Sequence, residues 1–82
     1  MMNTLRDDEK KRALMSRLAR VEGQLRGVQK LIEDDADCEK IAQQLTAARK
    51  ALDKSFYSMV ACMIEEGRTP VDQVTSMLVK FS

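Results

Sequence analysis

At 82 residues the chain makes one small domain, residues 1–82, near the size at which a lone hydrophobic core is only marginally stabilising. Apolar residues make up 44% of it, yet only three are aromatic, one is proline and three are glycine, which favours helices over a sheet and its turns. With no histidine, two cysteines, a net charge of +1 and an opening (MMNTLRDDEKKR) too polar to read as a secretory or membrane signal, neither a disulfide framework nor an imidazole metal site is expected, and a soluble cytoplasmic helical oligomer is.

The first apolar series is Leu14, Leu18, Val21, Leu25, Val28 and Ile32. Its alternating steps of four and three predict a long helix from about Asp7 to Asp34. Gly23 and Gly27 interrupt that helix at a cost of ~1 kcal/mol each relative to alanine, and their shared face suggests close approach by another helix. In the turn DDADCE, Asp37 or Asp35 is best placed as N-cap of a second helix running to about Glu66. Its seam is Cys38, Ile41, Leu45, Ala48, Leu52, Ser55, Met59 and Cys62, and Gly67 is a natural residue to close it. Thr69, Pro70 and Asp72 read as N-cap, first helical position and acidic first turn of a short third helix carrying Val71, Val74, Leu78 and Phe81. Three helices of such unequal length cannot bury two long seams within one protomer. The expected fold is therefore all-α, with two chains forming an antiparallel four-helix bundle and a further pairing giving a tetramer.

Cys38 and Cys62 carry the most distinctive chemistry. On one unbroken helix, 24 residues hold them roughly 36 Å apart, far beyond disulfide reach within a protomer. Two antiparallel copies crossing near Lys50 bring each cysteine toward the other chain's partner thiol. The start of the second helix favours a thiolate at Cys38, while Asp34, Asp35, Asp37 and Glu39 oppose added negative charge. Two thiolates with a thioether from Met59 or Met63 suit Cu(I) by softness. The alternative is a pair of buried structural cysteines. No phosphate loop, nucleophile–base pair or isolated carboxylate pair is present, so the chain is expected not to be an enzyme.

Charge is unevenly distributed. Residues 10–30 hold seven basic side chains against Glu22, a net of +6, whereas residues 31–40 hold five acids against Lys40, a net of −4. Arg17, Arg20 and Gln24 recur at helical spacing, Arg26 and Lys30 form a second pair, and Arg49, Lys50 and Lys54 lie midway along the second helix. Such a surface fits phosphate contacts, and it also fits plain solubilising charge.

The run Arg17-Leu18-Ala19-Arg20-Val21-Glu22-Gly23-Gln24-Leu25-Arg26-Gly27-Val28, followed by Asp37-Cys38 and by Gln44 to Leu52, resembles the CsoR/RcnR/FrmR family of bacterial repressors over nearly the whole chain. The resemblance implies an all-helical dimer, paired into a tetramer, that binds operator DNA and releases it when an inducer reaches the cysteine. It implies a DNA-binding role for Arg17 and Lys54 and an inducer-site role for Cys38. The histidine and cysteine with which the family's copper sensors complete that site fall here on Met63 and Gly67. Formaldehyde-sensing relatives pair the cysteine with an N-terminal proline, and this chain begins Met1-Met2-Asn3.

These features lead to one expectation with two alternatives. The expectation is a DNA-binding transcriptional repressor, with Arg17, Arg20, Gln24, Arg26, Arg49 and Lys54 on DNA. Cys38 and Cys62 of two protomers sense reactive sulfur or an electrophile, with no resident cofactor. One alternative is Cu(I) at Cys38, Cys62 and Met63; the other is a helical interaction module that does not bind DNA.

Overall fold

Helix α1 runs Asp8–Glu33, α2 Cys38–Glu66 and α3 Val71–Phe81 in the computed structural model, which describes residues 5–67 and 69–81. Met1, Met2 and Asn3 lie outside the described residues. Among those described there is no strand. The Asp7 Oδ1 caps α1 by accepting from the Glu9 and Lys10 backbone N–H groups at 3.0 and 3.1 Å.

The turn after α1 differs from expectation in one respect. Asp35 does not begin α2; it ends α1. Its φ of 56° is left-handed, the Asp35 N–H donates to the Ile32 carbonyl at 3.2 Å, and the Ala36 N–H donates to Leu31 at 2.9 Å. That pair of bonds is a Schellman closure with aspartate where glycine is usual. Asp37 takes the N-cap position of α2, but its side chain makes no capping bond. Gly67 closes α2 in the left-handed conformation, φ 65°, as its place in the sequence suggests. At α3 the ladder starts one residue later than read. The Pro70 carbonyl accepts from the Gln73 and Val74 N–H groups, which leaves Thr69 outside the helix.

Packing divides each seam into two rows. Along α1, Val21 and Val28 are 5% and 6% exposed, whereas Leu18, Leu25 and Ile32 are 36%, 42% and 58% exposed. Along α2, Ala48, Ser55 and Cys62 are 2%, 3% and 8% exposed, while Leu45 and Leu52 are each 48% exposed. One row of each helix thus closes the hairpin, and the other stays open on a common side. Small residues in the buried α2 row let α1 lie close, and the Ser55 hydroxyl is satisfied by donating to the Ala51 carbonyl at 3.1 Å. Near the end of α2, Val60 and Met63 meet Val74 of α3 in a core joined by Leu5, Phe56, Met59, Met77 and Leu78. The result is elongated, 47 × 27 × 17 Å, with a radius of gyration of 15.9 Å against about 12 Å for a compact chain of this length.

Within the protomer no helix lies close to Gly23 or Gly27. A Cβ at either position meets nothing within 4 Å, because both face outward from the hairpin.

Candidate effector site and nucleic-acid interface

The four-residue turn and the contacts at the far end fix the antiparallel register of the hairpin. Arg6 and Asp7 donate backbone N–H groups to the Glu66 carboxylate at 3.1–3.2 Å, and Lys10 Nζ lies 2.8 Å from Glu65 Oε1. The Glu65 hydrogen bond, with added Coulombic help from Glu65, Asp7 and Cys62, raises the Lys10 pKa above its ordinary value of 10.5. In this register Arg17 stands about level with Ser55 and Ser58, within a turn of Lys54.

The basic candidates fall into two groups. Arg17, Arg20 and Gln24 are exposed, and helical spacing sets them on the side of α1 away from Leu18, Leu25 and Ile32. Lys54, also exposed, lies on the matching side of α2. The hairpin therefore has two opposite broad faces, one apolar and open, the other basic. Arg26 and Arg49 are not part of that basic face. Arg26 borders a shallow groove with Gln29, Lys30 and Ile32, and Lys30 is 3.7 Å from Asp34. Arg49 lines a groove of about 450 Å³ with Leu25, Leu45 and Leu52, on the apolar side.

The two cysteines also occupy different rows. Cys38, the first residue of α2, is exposed and stands seven residues before Leu45 in the open row. Cys62 is buried and follows Ala48 and Ser55 in the row against α1. The unbroken α2 holds them roughly 36 Å apart, so one protomer does not bring them together. Met63 is buried with Val60 and Val74, and Gly67 supplies only backbone. No group of three or more His, Cys, Asp or Glu side chains able to hold a metal ion occurs among the described residues. Within one protomer the soft donor Cys38 stands apart from Cys62 and Met63, and Met63 is held in its core.

Sequence reading missed Glu65 and Glu66, whose partners lie about sixty residues away. The available signal was position: Glu66 follows Cys38, Leu45, Leu52 and Met59 in steps of seven.

Residues 10–76 match the family of metal-sensitive transcriptional repressors. The chain belongs to that family. Metal-sensitive repressors are not enzymes, in agreement with the missing catalytic constellations. Within the family, the copper-sensing transcriptional repressor CsoR of Bacillus subtilis (strain 168) is 36% identical over 47 residues, covering 57% of this chain and 46% of that protein. The matched stretch thus spans about half the length of that relative. No solved structure shows a significant match. Among the described residues, no helix is long and apolar enough to cross a membrane.

Proposed function

We propose that this member of the family is a cytoplasmic DNA-binding transcriptional repressor. It assembles through its open apolar face as an antiparallel dimer, which pairs into a tetramer, and an effector at Cys38 releases it from its operator. The observation carrying this reading is the opposition of faces. The side holding Leu18, Leu25, Leu45 and Leu52 invites a second copy, and the reverse side presents Arg17, Arg20, Gln24 and Lys54 to phosphates. Arg26 and Arg49 lie off that side and contribute long-range attraction.

The effector that best fits an exposed thiol at a helix start is a reactive sulfur species. The Cys38 thiolate attacks a polysulfide S–S bond and becomes a persulfide, while the shortened polysulfide leaves. The Cys62 thiolate of a second copy then attacks the Cys38 sulfur, expelling hydrosulfide and closing a disulfide between chains. Because Cys62 lies beneath α1, that bond requires α1 to lift from α2, and α1 carries the basic face. The chemistry thereby stabilises one of two states differentially, which is the requirement for release.

Cu(I) is the second reading, favoured by the copper-sensing relative and by the soft donors Cys38, Cys62 and Met63. A titration of reduced protein on duplex DNA with each effector separates the two. Release by tetrasulfide with loss of response in Cys38→Ser supports the sulfur reading. Release by Cu(I) alone, sensitive to Met63→Leu, supports the metal. DNA affinity independent of Arg17 leaves only a helical interaction module.

A further inference from the structure

The proposed effector site is on α2 and the proposed DNA face is mostly on α1, so the contacts between the two helices must transmit the signal. The long-range polar contacts gather at one end. Glu66 accepts from the Arg6 N–H at 3.2 Å through both carboxylate oxygens and from the Asp7 N–H at 3.1 Å. The preceding residue, Glu65, holds Lys10 at 2.8 Å. Asp7 is itself the cap of α1, and Leu5 just before it packs on the core of Val60, Met63 and Val74. Two consecutive carboxylates of α2 thus hold the start of α1, and displacing Glu66 disturbs the cap.

Position supplies a second, independent observation. Glu66 ends the row Cys38, Leu45, Leu52 and Met59, of which Leu52 is the midpoint. Leu52 also lines two apolar grooves of the open face, of about 590 and 450 Å³. Antiparallel two-fold pairing of that row about Leu52 sets Cys38 of one copy opposite Glu66 of the other.

We propose that Glu66 is the positioning residue that couples effector to DNA: it latches the start of α1 in the DNA-binding state, and an occupant beside Cys38 of the partner subunit displaces it. This rests on the repressor reading above. A carboxylate crowded by that occupant no longer accepts from both backbone N–H groups, and α1 is released at the end from which Arg17 lies within about three turns. Cys38 and Glu66 then form one site completed by two copies, with Cys62 one turn away in the adjacent row.

The test uses wild type and Glu66→Gln, with sodium tetrasulfide and Cu(I) as probes. Two readouts are taken: DNA affinity with and without probe, and amide exchange at Arg6 and Asp7. The probe that releases wild type from DNA is expected to speed exchange at these two amides by about tenfold or more while Val21 stays protected. Wild-type release is expected on the order of 5–150-fold, and Glu66→Gln is expected to shrink that ratio at least ~3-fold. A purely structural role lowers affinity with and without probe alike and leaves the ratio intact, which overturns the latch. So does release of wild type with unchanged exchange at Arg6 and Asp7, a result that needs no variant to fold. If neither probe moves wild type off DNA, the repressor reading itself fails and the latch falls with it.

Discussion

Cys38 and Cys62 differ in what solvent can reach, and that difference is directly measurable. Cys38 is exposed at the start of α2, whereas Cys62 is 8% exposed beneath α1. Iodoacetamide followed by intact mass is expected to alkylate Cys38 rapidly and Cys62 only slowly, with the contrast lost in denaturant. Equal rates in the native protein would show that Cys62 is not covered as described. Lys10 gives a second prediction at this scale. Its folded pKa lies above the ordinary value, so the ion pair with Glu65 contributes fully below about pH 10.5 and is lost as pH rises through the folded pKa. Urea stability of Lys10→Gln should therefore approach that of wild type at strongly alkaline pH. A gap that stays constant through that range would contradict the pairing. The thiol pair was visible in the sequence as a spacing. Which side of the helix each sulfur faces was not, because a 24-residue separation turns the answer on a small difference in helical winding.

Helix ends were the most legible elements, since caps are local chemistry. Asp7, Gly67 and Pro70 each stand within a residue of a boundary because a side-chain acceptor, a left-handed glycine and a fixed proline φ act over one turn, and Asp37 holds its N-cap position without a side-chain bond. Asp35 was read as a candidate start and is instead a left-handed stop. Replacing it with glycine removes a Cβ penalty and is expected to raise stability by about 0.5–1 kcal/mol. Gly67→Ala, imposed on φ 65°, should lower it by about 1 kcal/mol. Outward-facing Gly27 gives the opposite outcome to Gly67: with nothing within 4 Å, Gly27→Ala should stabilise α1 by up to ~1 kcal/mol. Urea unfolding of the three variants checks all of these signs, and destabilisation by Gly27→Ala would restore the close neighbour that the sequence suggested. What the heptad pattern could not reveal is the division of each seam. A regular apolar row looks the same whether it meets its own hairpin or a second copy, and only burial separates Val21 and Val28 from Leu18 and Leu25.

For the whole molecule, the proposed function assigns assembly to the open row and DNA contact to the basic side. An elongated hairpin leaving Leu45 and Leu52 half exposed is expected to self-associate, and a charge at the row's midpoint should prevent it. Leu52→Glu is predicted to sediment as a monomer that retains helical circular dichroism and loses DNA affinity. A dimeric Leu52→Glu would move the interface elsewhere. The family was legible in the Arg17–Val28 run, whereas the ties from Glu65 and Glu66 to the start of α1 were not, since the seven-residue row places Glu66 but does not name a partner some sixty residues away. The most direct test of the central claim is a salt-dependent titration on a duplex selected from random-sequence DNA. Wild type, Arg17→Ala and Cys38→Ser would be compared, each with and without the releasing effector. Loss of affinity in Arg17→Ala, with a salt slope smaller by about one, together with release of wild type but not of Cys38→Ser, is the predicted result. Tight binding by Arg17→Ala, or release of Cys38→Ser equal to that of wild type, would contradict it.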